Sequence, residues 1–105
     1  MKNRELFSGF IRLHILYHAA KGPVFGLWLI RELERHGYRL SPGTLYPILH
    51  SMERRGYLVS TTEEAGGRKR RVYRATEEGR RALAAAGVKV RELFGELFAE
   101  HPGGR

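Results

Sequence analysis

Cysteine is absent from this chain of 105 residues, which excludes disulfide-stapled scaffolds, zinc fingers, iron–sulfur sites and thiol nucleophiles. No apolar run approaches the roughly 20 residues that a membrane-spanning helix needs. Met1 to Glu5 lead into a segment that is interrupted by Arg12 and contains no small-residue cleavage site. We therefore expect a cytoplasmic protein without a secretion signal.

Motifs of catalysis and cofactor binding are missing as well. The sequence has no glycine-rich dinucleotide or phosphate loop and no nucleophile elbow. Ser41 and His50 have no visible triad partner, which argues against an enzyme. His14 and His18 are four residues apart and could face one metal ion, but no third ligand is evident nearby. We expect no cofactor and no metal, and we assign these two histidines to the core or to a dimer surface.

Acidic residues are few relative to basic ones. The chain has 11 Asp and Glu against 19 Lys and Arg, which gives a formal net charge of +8. Such a balance indicates a polyanionic partner, either nucleic acid or an anionic membrane surface. No segment pairs a basic face with a clean apolar face, so the membrane surface ranks last and double-stranded DNA is the expected partner.

Hydrophobic periodicity and helix-end signals predict three helices, a β-hairpin and a fourth helix. Ser41 followed by Pro42 is a strong helix start, and Thr76 is placed to cap the last helix. The predicted helices cover residues 4–20, 24–36, 41–56 and 77–100, and the predicted strands cover 57–62 and 72–76, with a mobile tip at 63–69. This order predicts a mainly α winged helix-turn-helix with a two-stranded β wing.

The chain divides into a predicted winged-helix DNA-binding domain at 1–76, a dimerisation helix at 77–100 packed on the same domain, and a flexible tail at 101–105. The last helix carries an apolar stripe near heptad spacing that outreaches the rest of the domain. The first helix carries too many apolar residues to have a whole face exposed to solvent. Both features favour a homodimer, whose predicted interface residues are Phe7, Phe10, Leu83, Val90, Leu93, Phe94 and Leu97.

Aromatic residues of the first two helices also suggest a binding pocket. Phe10, Tyr17 and Trp28 could line a site for a small hydrophobic or aromatic effector. Such residues more often serve core or dimer packing, so both interpretations stay open.

The third helix is the candidate for contacting DNA. Apolar residues from Leu45 to Met52 recur at the spacing of a buried stripe, which leaves an opposite face made of Gly43, Pro47, His50 and Arg54. The helix N-terminus offers N–H groups suited to phosphate, and hydroxyls at Ser41, Thr44 and Tyr46 can add donors. Contacts to base edges fall to Pro42, Gly43 and His50. By periodicity alone, an ordinary core helix would look the same.

The predicted hairpin carries a basic run beside the Gly66–Gly67 pair. Five cations lie within seven residues: Arg68, Lys69, Arg70, Arg71 and Arg74. Strand alternation directs Arg70 to one face of the hairpin and Arg71 to the other. A charge run is usually a solvated face, but a basic wing beside a recognition helix can lie along phosphates or enter a minor groove. We therefore prefer the DNA-binding interpretation.

The stretch from Ser41 to Leu49, SPGTLYPIL, resembles the most distinctive motif of the PadR-like family of bacterial transcriptional regulators. Further matching positions are Gly22–Gly26, Leu29–Leu33, Glu53, Gly56–Leu58, Arg71, Tyr73, Thr76 and Gly79. The short C-terminal helix is similar to that of compact members. The resemblance implies a homodimeric winged-helix repressor that is released from DNA by a small molecule bound near the dimer interface. It also implies operator contacts by Ser41, Gly43, Thr44 and Tyr46, and a wing held on DNA by Arg71.

Two other functions remain open from the residues alone. A sequence-independent nucleic-acid-coating protein would bind an operator and scrambled DNA alike at moderate salt. A winged-helix protein-interaction module, with its basic wing on an acidic partner, would bind neither duplex tightly.

Overall fold

A computed structural model describes residues 2–99, which form four helices and one antiparallel sheet. The elements are α1 (Arg4–Lys21), β1 (Val24–Phe25), α2 (Gly26–Arg35), α3 (Pro42–Arg54), β2 (Leu58–Ala65), β3 (Arg68–Ala75) and α4 (Glu77–Phe98). The predicted winged helix-turn-helix class is confirmed. The predicted flexible tail at 101–105, and residue 100 of the predicted dimerisation helix, lie outside the described residues. Within the described part, every helix is too short or too polar to cross a membrane.

The start of the predicted second helix is a strand. Val24 and Phe25 pair with Tyr73 and Val72 of β3, and the sheet has the order β1-β3-β2. The prediction of a helix from Val24 was therefore wrong at this point, and the predicted two-stranded wing is joined by a third, two-residue strand. The physical reason is that a β-branched and an aromatic residue after Pro23 suit extended backbone, and β3 supplies the hydrogen-bonding partner. Helix α2 begins only at Gly26.

The hairpin of β2 and β3 is longer than predicted. Its turn consists of Gly66 and Gly67, whose φ angles of +59° and +78° fit a two-residue mirror-image turn that favours glycine. The register continues through Glu63 opposite Arg70 and Glu64 opposite Lys69 up to the turn. The predicted strand bounds beside the tip at 63–69 were wrong, because cross-strand pairing extends up to the two glycines. The basic residues therefore project from a paired strand.

The core lies where α1, α2 and α3 meet the sheet. Tyr73 of β3 is fully buried there, although the hydroxyl of a tyrosine is usually exposed to water or hydrogen-bonded. The other buried apolar side chains of the core are Ile11, Ile15, Leu16, Ala19, Val24, Leu29, Leu33, Leu40, Leu45, Leu49, Met52, Leu58 and Ala75. Helix α3 passes through Pro47 without a break, as expected for a proline near the helix start.

The Tyr73 hydroxyl has no hydrogen-bond partner among the described residues. Burial raises the pKa of Tyr73 above its ordinary value, and Glu53 and Tyr46 add to this effect while Arg71 opposes it. An unsatisfied buried hydroxyl costs about 1–3 kcal/mol. We therefore expect Tyr73→Phe to raise the free energy of unfolding by about 1 kcal/mol in urea titrations followed by circular dichroism. Tyr73→Leu, which removes ring volume, should lower it by about 3 kcal/mol. A loss of stability with phenylalanine would mean that a bound water satisfies the hydroxyl.

The first turn of α4 is seated firmly on the rest of the domain. The Thr76 hydroxyl accepts a hydrogen bond from Gly79 N at 2.9 Å and donates to Gly56 O at 2.5 Å, which confirms the predicted cap. The Arg80 guanidinium donates to the carbonyl oxygens of Ala75 and Ala20 at 3.1 and 3.3 Å. From Gly87 to Ala99, by contrast, every residue is exposed. The second half of α4 thus extends beyond the fold that supports its beginning.

Candidate nucleic-acid interface

Helix α3 presents the predicted outward face. Leu45, Leu49 and Met52 are buried, and the exposed face consists of Gly43, Pro47, His50 and Arg54. Among the described residues, a Cβ at Gly43 would meet only Ser41 Oγ, at 3.7 Å, so no contact within this part of the chain requires a glycine there. A side chain at this position would instead stand between the helix and any backbone that approaches its N-terminus.

The N-terminus of α3 is open to solvent. Ser41 is the N-cap residue, but its hydroxyl does not bond the helix backbone; it donates to Thr44 Oγ1 at 3.4 Å. Pro42 has no N–H, so the first amide that α3 can offer is that of Gly43. Two hydroxyls and an amide therefore cluster at the positive end of the helix dipole, which suits a phosphate.

Tyr46 is more engaged in packing than the sequence suggested. Its ring lies directly over Gly26, where an added Cβ would overlap the Tyr46 hydroxyl and ring carbons. The side chain is half-buried, and its ring centroid is 6.5 Å from that of His50. Tyr46 therefore packs α3 against α2 and leaves only part of its side chain exposed.

The five wing cations differ in their surroundings. Arg74 donates to Glu63 Oε2 at 2.9 Å and is ion-paired, while Arg70 lies over the Phe25 ring at 5.2 Å from its centroid. Arg68 and Lys69 follow the two-glycine turn and are exposed. The wing strand is thus basic on both faces, but the acids of β2 run beside it and neutralise part of its charge.

The register places alternate wing residues on opposite faces, as predicted for Arg70 and Arg71. Arg71 projects on the face that meets α3: its Nη1 donates to Ser60 Oγ at 2.9 Å, and Ser60 Oγ donates to Glu53 Oε2 at 2.6 Å. A hydrogen-bonded chain therefore joins the wing to the C-terminal turn of the recognition helix. The sequence motif contained Glu53 and Arg71, but nothing in it pointed to Ser60, because this contact depends on hairpin register.

An exposed apolar surface follows the second half of α4. Val90, Leu93, Phe94 and Leu97 are 43–65% exposed, and Phe10 of α1 is 43% exposed. The remaining two predicted interface residues, Phe7 and Leu83, are half-buried. Apolar stripes of this extent are typical of surfaces that contact another protein.

Comparison with known proteins assigns the chain to a family. The family model described as "Transcriptional regulator PadR-like family" matches residues 15–85. The chain belongs to the PadR-like family of transcriptional regulators. It is 54% identical over 95 residues to the transcriptional regulator Rv3488 of Mycobacterium tuberculosis, with 90% of this chain and 89% of that protein covered.

Solved structures of PadR-like regulators have the same fold. A family member from Eggerthella lenta superposes with a TM-score of 0.75 at 30% identity, covering 92% of this chain and 88% of the other. A PadR-like regulator from Bacillus cereus superposes with a TM-score of 0.75 at 26% identity, covering 91% and 99%. These relatives are transcriptional regulators and not enzymes, as the sequence predicted.

In this PadR-like protein the wing cations differ enough for a direct test. Log affinity falls linearly with log salt concentration, and each phosphate that a cation neutralises makes this slope steeper by about 0.9. We expect Arg68→Ala to make the slope less steep by about 0.9. Arg74→Ala is the matched control and should change the slope little, because Glu63 already neutralises Arg74. Duplex titrations at four salt concentrations measure both slopes. Equal slopes for the two variants would contradict the expectation that Arg68, and not Arg74, neutralises a phosphate.

A cleft of about 910 Å³ separates α1 and α2 from α4 in this PadR-like fold. Its lining residues are Phe10, Leu13, His14, Tyr17, His18, Glu32, His36, Leu83, Gly87, Val90, Arg91 and Phe94. Two of the three predicted effector-pocket residues, Phe10 and Tyr17, are among them. Trp28 is not; its ring meets that of His18 edge to face at 5.2 Å, and the side chain is exposed.

Sequence analysis paired His14 with His18 but missed the third histidine of a cluster in this wall. His36 stacks on His14 at 4.6 Å between ring centroids, and His18 and His36 approach the same Glu32 oxygen at 3.5 and 3.2 Å. The rings stack rather than converge, and among residues 2–99 no three potential ligands are arranged to hold a metal ion. His36 could not be placed from sequence, because it reaches His14 only through the packing of α2 on α1.

Burial lowers the pKa of His14, and the neighbouring His36 and His18 lower it further against the opposing effect of Glu32. Burial also lowers the pKa of His18. Burial alone would raise the pKa of Glu32, but His36, Arg35 and His18 together hold it below its ordinary value. Burial therefore favours the neutral imidazoles of His14 and His18, whereas the neighbours of Glu32 favour its carboxylate.

Proposed function

We propose that this PadR-like chain is a homodimeric, sequence-specific DNA-binding repressor that leaves its operator when a small molecule binds. The observation that carries the proposal is the open face of α3, which lies beside a basic wing and is linked to it by the Arg71–Ser60–Glu53 chain. A helix with an exposed outer face and an accessible N-terminus fits the major groove of DNA, with the wing against the flanking backbone. Such a regulator acts in the cytoplasm, where bacterial DNA is.

The contacts divide into two kinds. Ser41, Thr44 and the exposed part of Tyr46 contact phosphates, as do the wing residues Arg68, Lys69, Arg70 and Arg71, and these contacts fix position. Pro42, Gly43 and His50 approach base edges. Because these three make few hydrogen bonds, sequence-dependent DNA shape contributes to recognition.

Dimerisation is supported by the exposed stripe of α4. Phe94 and Phe98 pack against each other with ring centroids 4.7 Å apart and planes tilted by 48°, although both are more than 60% exposed. A second copy of α4, together with Phe10 of α1, is the natural cover for this surface. Residues 77–98 then serve as the dimerisation helix of a single domain, and two α3 helices are presented to successive turns of the DNA.

The cleft between α1 and α4 is the proposed effector site. Its volume lies within the usual range of small-molecule sites, and aromatic and aliphatic side chains dominate its lining. Since Val90 and Phe94 belong both to the cleft and to the stripe, a bound planar compound would change the position of α4 and with it the separation of the two α3 helices.

The test of this function is fluorescence anisotropy with two duplexes, one from upstream of the protein's own gene and one with that sequence scrambled. We expect a preference for the upstream duplex that persists as salt rises. Equal binding to both, lost together with salt, would favour the sequence-independent coating function. Absence of binding to either would favour a protein-interaction module. Compounds that release the preferred duplex then identify the effector.

A further inference from the structure

The Arg71–Ser60–Glu53 chain crosses from the wing to the recognition helix. In the hairpin register Ser60 lies opposite Tyr73 and Thr62 lies opposite Arg71, so Ser60 and Arg71 are diagonal neighbours on one face of the hairpin. Glu53 is the second-last residue of α3 and reaches Ser60 across the junction of helix and strand. Side chains from α3, β2 and β3 thus meet at one hydroxyl.

The order of donors and acceptors gives this chain a direction. A serine hydroxyl has one proton, and here it goes to the Glu53 carboxylate at 2.6 Å, which leaves an oxygen lone pair to accept from Arg71 at 2.9 Å. Hydrogen bonds to ionised groups are about twice as strong as neutral ones. Both bonds involve an ion, and Ser60 and Glu53 are half-buried, so the hydroxyl is held in one orientation.

Arg71 differs from the other wing cations in how it is held. Arg74 has a carboxylate in direct contact, and Arg70 faces Glu63 across the hairpin. The residue opposite Arg71 is Thr62, and Arg71 donates its hydrogen bond to the neutral hydroxyl of Ser60. Its guanidinium is therefore oriented without direct neutralisation, and its remaining N–H groups can take a phosphate.

We propose that Glu53 and Ser60 are positioning residues that hold Arg71 in fixed register with α3, so that helix and wing contact DNA as one rigid unit. This inference rests on the proposed DNA binding. Its consequence is that Ser60, which carries no charge, determines affinity through Arg71.

A double-mutant cycle tests the coupling. By duplex anisotropy, Ser60→Ala is expected to weaken binding about 5-fold, the effect of one hydrogen bond, and Arg71→Ala about 10-fold. The double variant should bind no more weakly than Arg71→Ala alone. Ser60→Thr keeps the hydroxyl and should restore affinity. Thr61→Ala, on the opposite face of the hairpin, is the matched control and should bind like the wild type. Additive losses in the double variant, with a lowered unfolding midpoint for Ser60→Ala, would mean a merely structural role and overturn the proposal.

A second measurement requires no DNA. In arginine side-chain NMR, Arg71 of the wild type should be rigid while Arg68 is mobile, and Ser60→Ala should make Arg71 as mobile as Arg68. If the wild type binds neither duplex, the proposed function fails while this measurement still decides whether the chain holds Arg71. Equal mobility of Arg71 and Arg68 in the wild type would overturn the positioning role.

Discussion

Phe94→Glu is expected to convert the protein to a monomer and to weaken duplex binding at least 100-fold. Phe94 lies at the centre of the exposed stripe of α4 and also lines the cleft, so a second copy of the chain would bury it. Burying a phenylalanine contributes about 2–3 kcal/mol, and an unpaired carboxylate in an apolar interface costs more than that. Two identical α4 helices would each carry the charge, which doubles the effect. Sedimentation velocity gives the oligomeric state and anisotropy the affinity.

The matched control for this variant is Ala85→Glu. Ala85 is exposed on the side of α4 that faces away from the stripe, so the same new charge is introduced without entering the interface. It should remain a dimer and retain most of its DNA affinity. If Phe94→Glu remains a dimer at the same protein concentration, the α4 stripe is not the interface and the proposed arrangement of two α3 helices is wrong.

Gly79→Ala is expected to lower the free energy of unfolding by about 3 kcal/mol. An added Cβ would overlap the Tyr57 carbonyl oxygen and approach Leu16 Cδ1 to 3.2 Å. The obstacle is mainly backbone, which cannot move aside without displacing the first turn of α4. Glycine at this helical position therefore permits a close approach of α4 to the chain before β2.

Gly87→Ala provides the opposite expectation in the same helix. A Cβ at Gly87 meets no atom within 4 Å, and alanine is the better helix former, so stability should rise by up to about 1 kcal/mol. Urea titrations at equal protein concentration compare the two variants. A similar loss for both would show that α4 tolerates no side chain at either glycine, and that close packing at Gly79 is not the cause.

Local signals in the sequence were sufficient for much of the fold. Ser41 and Pro42 do begin α3, and Thr76 caps α4 through its hydroxyl, because capping depends on residues within one turn. The buried stripe of α3 followed from helical periodicity in the same way. The winged-helix class could be predicted because these elements occur in an uncommon order.

Features that depend on distant residues could not be predicted in this way. Val24 and Phe25 form a strand only because Val72 and Tyr73, almost 50 positions later, offer a free edge. The length of the hairpin likewise depends on the register of β2 against β3. The two glycines of the turn set this register only when the strands pair on either side of them.

The candidate site divides along the same line. The outward-facing residues of α3 could be predicted from the sequence, because the buried face of a helix determines which residues lie on its opposite face. The neutralisation of Arg74 by Glu63 and the orientation of Arg71 by Ser60 did not, because both are contacts between strands. Counting the cations in the run therefore overestimated the charge that the wing offers to phosphate.

The seating of α4 at one end only has a mechanical consequence. With 22 residues the helix is about 33 Å long, and it is fixed near Gly79 and Arg80 while its far half has no support from its own chain. Such a helix is a lever arm with its fulcrum at the first turn. A tilt of about 5° at the fulcrum displaces the tip by about 3 Å, close to the rise of one base pair. In the proposed dimer, a compound bound in the cleft along Leu83 to Phe94 that tilts α4 slightly would therefore produce a mismatch of one step along the double helix.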